Sequence, residues 1–160
     1  MTIMTWLIAI PLLGLVTGLR SMTAMAVLCW FAYRGDLPVD GTWAFWSGKL
    51  VTAIIFTVLA AGEYVGDKLP QTPNRTSFGP LFARLAFSGL VGAIAATGVT
   101  GSLEEGVVLG VIGGLLGTFL GYQVRKHLVL WSGRPDWNIA LLEDASAILL
   151  SILAMGVITG

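Results

Sequence analysis

With 160 residues, 56% of them hydrophobic and 11% charged, and a mean hydropathy of +0.85, the chain lacks the polar surface that a water-soluble domain of this size needs. Nine basic residues balance nine acidic ones, which excludes the bulk positive field of a nucleic-acid-binding protein. One histidine (His127) and one cysteine (Cys29) leave no material for a Ser-His-Asp triad, a His-built metal site or an internal disulfide.

The length suits a single transmembrane domain over residues 1–160, because a spanning helix needs roughly 20 apolar residues. Five apolar segments predict an all-α, polytopic bundle of about five spans: Ile3 to Tyr33, Leu50 to Val65, Leu81 to Thr100, Gly106 to Val124 and Ile139 to Ile158. Prolines and glycines punctuate the stretches between them, as connections require. The first segment is too long: as one helix its residues would extend about 46 Å against a hydrocarbon core of about 30 Å. Either a steep tilt or a break must accommodate it. A break is expected near Gly18-Leu19-Arg20-Ser21, since Gly loosens a helix and freed backbone groups at membrane depth are tolerated only against protein or a wet cavity. The segment has no basic leader before it, and its apolar run resumes at Met22, so it reads as a retained span and not as a signal peptide.

The second span closes on Gly62-Glu63-Tyr64-Val65-Gly66-Asp67-Lys68-Leu69-Pro70. Glu63 and Asp67, four apart, share a helical face and repel unless something cationic or a proton compensates them. Lys68, Arg20, Arg75, Arg84 or a metal ion are the candidates. The last span opens with a second acidic pair, Glu143-Asp144, on the same side and within an apolar helix, where both carboxylates face the bundle. Four carboxylates (Glu63, Asp67, Glu143, Asp144) at one depth suit a divalent cation or a proton, oxygen being the right ligand for a hard cation. Convergence of Arg20, Arg84 and Arg125 on them would make the neutralisation internal, with no metal, and no cofactor is predicted. Arg20 stands near the middle of its segment and keeps its charge in any environment. Its partner is therefore a carboxylate such as Glu63 or Asp144, backbone carbonyls, or an anion such as phosphate bound at a helix break.

In the fourth span Gly106, Gly110 and Gly114 form one row and Gly113, Gly117 and Gly121 an adjoining one. Rows without side chains let another helix backbone approach closely, which is a main source of helix association in lipid. The span is expected to be the packing centre, matched by Gly62, Gly66, Gly89 and Gly92 of the same chain or by a second copy in a homo-oligomer.

Basic residues flanking the spans set the orientation. Lys68, Arg75, Arg84, Arg125, Lys126 and Arg134 outnumber Arg34 and Lys49 on the other side, which predicts the N-terminus inside and the C-terminus outside. All six tryptophans fall near span ends, as interfacial rings should.

Gly18-Leu19-Arg20-Ser21-Met22-Thr23-Ala24, Gly62-Glu63 with Gly66-Asp67-Lys68-Leu69-Pro70, Thr72-Pro73 and Arg75-Thr76, and the late Glu143-Asp144 together resemble the small bacterial membrane proteins grouped as domain-of-unknown-function family 4126. The resemblance covers nearly the whole chain and departs at Met25, where that pattern has proline. It implies a bacterial cytoplasmic (inner) membrane location and carries no catalytic or binding role. On the residues, the leading expectation is a small transporter or flippase-like carrier of an anion or lipid phosphate, with membrane lipid as partner. Its candidate binding residues are Arg20, Glu63, Asp67, Lys68, Arg75, Arg84, Glu143 and Asp144. The alternatives are a membrane-embedded, metal-assisted enzyme acting on a lipid phosphate and an assembly subunit without chemistry.

Overall fold

The computed structural model describes residues 3–69 and 76–160. Six α-helices follow one another: α1 (Ile3–Leu19), α2 (Thr23–Tyr33), α3 (Leu50–Gly66), α4 (Phe78–Gly98), α5 (Leu103–Ser132) and α6 (Asp136–Thr159), and no strand occurs among the described residues. By length and composition α4, α5 and α6 can each cross a membrane, while α1, α2 and α3 are shorter apolar helices.

The solvent this fold expects is visible in its polarity. Large apolar side chains such as Val51, Val58, Leu149 and Leu153 lie exposed on the outside, whereas Arg20, Arg84, Asp144, Ser88, Thr118 and Ser151 are buried. A surface that is apolar outside and polar within suits lipid, which accepts the exterior and leaves the polar groups to satisfy one another. The helices accordingly mark a membrane protein.

Helix ends follow local chemistry. Ser102 caps α5 by accepting from the Glu105 backbone N–H, the Ser-x-x-Glu arrangement of a capping box. Gly133 ends α5 in the left-handed region at φ 61°, and Pro135 follows, which cannot extend a helix.

The first apolar segment breaks between Leu19 and Thr23 and also reverses there. α1 runs parallel to α5, with Pro11 and Gly14 set against Gly113 and Gly110 and Gly18 against Gly114 and Thr118. α2 runs antiparallel to α3, with Thr23 bonded to Tyr64 and Trp30 to Thr57. Successive helices therefore alternate in direction. The start of α1 and the end of α6 share one end of the bundle, opposite the end that holds Lys68, Arg84 and Arg125, here called the basic end. The sequence reading of an odd number of passes takes no account of this additional reversal.

The connection after α2 also departs from a simple polar loop. Leu37, Val39, Ala44 and Ser47 are buried. Leu37 lies against Gly98, the Trp43 indole N–H donates to Thr97 Oγ1 at 3.0 Å, and a 3-10 turn at Phe45–Gly48 leads into α3. The stretch plugs the end of the bundle opposite the basic end.

α5 is the packing centre. A Cβ at Gly106 would meet Ala96 and Gly92 of α4, at Gly110 the Ser88 carbonyl, at Gly113 the Pro11 carbonyl and at Gly117 the Leu15 carbonyl. Both glycine rows, from Gly106 to Gly117, are thus filled by α1 and α4 of the same chain, so a second copy has no access to them. Gly89 and Gly92 supply matching surface, whereas a Cβ on Gly62 or Gly66 would meet nothing within 4 Å among the described residues. Gly113→Ala and Gly117→Ala should each destabilise the bundle by about 1–3 kcal/mol through overpacking. Gly62→Ala should leave it unchanged or slightly more stable. Reversible unfolding in mixed detergent micelles measures the difference, and equal stability of all three variants would contradict the packing described.

Candidate functional site

Reversing direction inside an apolar bundle leaves the last carbonyls of α1 and the first N–H groups of α2 without helical partners. In an apolar bundle such groups are served by side chains. Glu63, from α3, accepts the Ser21 N–H at 2.9 Å with one carboxylate oxygen and the Met22 N–H at 3.0 Å with the other. Arg84, from α4, donates through Nη1 to the carbonyls of Gly18 (2.9 Å) and Leu19 (2.8 Å). The two side chains meet at 3.5 Å between Arg84 Nη2 and Glu63 Oε1. An acid thus caps a helix start and a base a helix end, each favoured by the dipole it faces. Thr118 on α5 donates a further bond to the Gly18 carbonyl at 3.3 Å.

Arg20 sits on the reversal and projects to the other side, wholly buried. Its Nη1 lies 2.6 Å from Asp67 Oδ2 and its Nη2 2.6 Å from Asp144 Oδ1, with Glu143 Oε2 at 3.9 Å. Its guanidinium also stands 5.7 Å from the centre of the Tyr64 ring, within reach of a cation–π contact. Lys68 Nζ bonds Asp144 Oδ2 and the Tyr64 carbonyl, both at 3.0 Å. Arg125, on α5, extends the network outward. It contacts Asp67 at 2.8 Å and Glu143 at 3.4 Å through Nη1, and binds Asp136 in a two-pronged pair at 2.9 and 2.6 Å. The chain of ion pairs runs from a guanidinium with no exposure, Arg20, to Asp136, whose side chain is 59% exposed.

The candidate residues therefore divide. Arg20, Asp67, Lys68, Glu143 and Asp144 gather in one group, while Glu63 and Arg84 hold the helix reversal beside it. Arg75 lies outside the described residues. Arg20 pairs with Asp67 and Asp144; Glu63, the other expected partner, is engaged by Arg84 and the α2 backbone. Two further members join the network. From the sequence Arg125 reads as a candidate neutraliser only, and the signal for Asp136, the first residue of α6, is an acid directly after Pro135 at a helix start.

The four carboxylates do not form one oxygen cage. Each faces a guanidinium or ammonium, and among the described residues no group of three or more His, Cys, Asp or Glu is disposed to hold a metal ion. A divalent cation at these four carboxylates would have to displace the arginines and Lys68 from their partners. Between α5 and α6 a half-open cleft of about 180 Å³ reaches Arg125 and Glu143, with Leu19 and Leu142 among its walls. Arg20 is not among the residues that line it.

Removing one partner of a buried ion pair costs about 3–5 kcal/mol, because it strands the other charge. Arg20→Met should approach that range by taking from Asp67 and Asp144 the cation nearest to each and leaving them Arg125 and Lys68 alone. Lys68→Met should cost far less, since its ammonium is partly hydrated, with 28% of the side chain exposed. Thermal unfolding of both variants in one detergent orders the two, and an Arg20 variant as stable as the Lys68 variant would mean that the pairs are not formed in the protein.

No family model, curated protein or solved structure matches this chain.

Proposed function

We propose that the protein is a small carrier of the bacterial cytoplasmic membrane that moves an anionic group, a lipid phosphate in first place, by exchanging partners within the charged network. One observation carries the reading: a helix reversal in an apolar bundle is held by ionised side chains from two other helices, and from it ion pairs lead through α3, α5 and α6 toward the surface. Charges within a membrane domain are expensive, and a reversal could be capped by neutral groups, so their presence points to a pathway. An arginine that lets go of a carboxylate offers the same fork of N–H groups to phosphate.

In this reading the basic end faces the cytoplasm, by the excess of lysine and arginine there. Both the start of α1 and the end of α6 then lie outside, and α1 with α2 forms a hairpin inserted from the outer side whose tip meets the network. Placement of the chain in family 4126 belongs to the same proposal and rests on the motifs given above.

A second reading, a static lock with no cargo, draws on the complete burial of Arg20 between two carboxylates. The two part on a conservative substitution. In proteoliposomes the carrier accelerates exchange of a fluorescent anionic phospholipid between leaflets, or uptake of inorganic phosphate, and Arg20→Gln removes the activity. Arg20→Lys, which keeps the charge facing Asp67 and Asp144 but not the planar fork, recovers thermal stability without recovering flux. Wild-type protein that moves neither lipid nor phosphate faster than empty vesicles would remove the carrier reading and leave the lock.

A further inference from the structure

Part of the charged network lines a cleft between α5 and α6. Its apolar walls include Leu19, Leu128, Ile139 and Leu142, and Arg125 and Glu143 stand in the same lining. At about 180 Å³ it is smaller than the roughly 300–1,000 Å³ of pockets that enclose a whole metabolite. It can enclose a stretch of acyl chain while the rest of the molecule lies along the bundle. Glu143 is seven residues beyond Asp136, at which α6 begins, so the charged lining sits about 10 Å along the helix from its start, at the rise of an α-helix.

From these features we infer that the cleft is a lateral port for an anionic phospholipid: an acyl chain occupies the apolar part, and the phosphate takes hydrogen bonds from Arg125. This rests on the carrier reading and names its cargo as a lipid that enters from the membrane, not a small anion from water. The distances single out the contact that gives way. Arg125 holds Asp136 at 2.6 and 2.9 Å and Asp67 at 2.8 Å, but Glu143 only at 3.4 Å. Glu143 is the longest of the three, and it is the carboxylate that lines the cleft. A phosphate oxygen arriving there replaces the weakest pairing of Arg125 and leaves the two short ones intact. Glu143 stays within 3.9 Å of Arg20, which limits its repulsion of the incoming phosphate. The basic run Arg125-Lys126-His127 adds positive charge at this level of α5.

Wild-type protein and two variants, Ser146→Trp and Arg125→Gln, are placed in phosphatidylcholine nanodiscs with phosphatidic acid or phosphatidylcholine spin-labelled on an acyl chain. Ser146 is an exposed cleft-lining residue outside the ion pairs, so Ser146→Trp fills the cleft without removing any charged member of the network. The wild type should immobilise phosphatidic acid about tenfold more strongly than phosphatidylcholine, the worth of one charge-assisted bond. Both variants should lose that preference, and circular dichroism should show Ser146→Trp as helical as the wild type. Equal immobilisation of the two lipids by the wild type, full retention of the preference by Ser146→Trp, or displacement of phosphatidic acid by inorganic phosphate alone would each overturn the lipid port. Flux in proteoliposomes that Ser146→Trp leaves intact would retain the carrier and discard the port. Selective immobilisation without any flux would retain the port and discard the carrier.

Discussion

The structure depends on satisfying the backbone where α1 turns into α2. Each polar backbone group left bare in hydrocarbon costs several kcal/mol, and a reversal over three residues frees several at once. The described bonds to Glu63 and Arg84 account for two N–H groups and two carbonyls. Because those side chains come from α3 and α4, the local need of one turn fixes the relative placement of three chain segments. Gly18, which carries one of the bonded carbonyls, also makes the close approach to α5: a Cβ there would strike the Gly114 carbonyl. Backbone satisfaction and helix packing therefore meet at one residue.

Charge follows from the same turn. Arg20 is carried into the bundle by the reversal and cannot lose its proton, so carboxylates must come to it from α3 and α6. Asp67 serves Arg20 and Arg125 together, joining α3 to α5 through a single oxygen at 2.6 and 2.8 Å. Asp144 likewise serves Arg20 and Lys68, one oxygen each. Such sharing makes the contributions non-additive: removing Asp67 unsettles two guanidiniums and not one.

Much of this was legible in the sequence, and what was not has a physical cause. The helical class, the inward pull on Arg20, Asp67 and Asp144, and the role of the α5 glycine rows all follow from composition, burial cost and spacing. The location of the break followed from Gly18 and Arg20, but its angle did not, because a continuing and a reversing chain share the same local residues and differ only in which helices receive them. The reversal itself is therefore not legible from the residues of the break. The separation of Glu63 from Asp67 was also hidden: spacing places both on one face of α3, whereas their partners depend on where α4 and α6 arrive. Gly62 and Gly66 look like packing glycines by spacing, yet no described helix comes to them.

The two kinds of contact hold different parts of the molecule. α1, α4 and α5 lock together through backbone-to-backbone approaches at glycines, which are short-ranged and tolerate little displacement. α3 packs chiefly on α2 and reaches the rest through the Phe56–Phe87 ring contact and its charged end. α6 packs on α1 and α2, and its clearest tie to α5 is the Arg125 pairing with Asp136 and Glu143. Ion pairs can change partners at nearly constant geometry, as close-packed glycine faces cannot. A carrier needs one part that holds and another that exchanges. On the carrier proposal, the holding part is the glycine-packed trio, and the exchanging part is the set of carboxylates that α3 and α6 bring to Arg20 and Arg125.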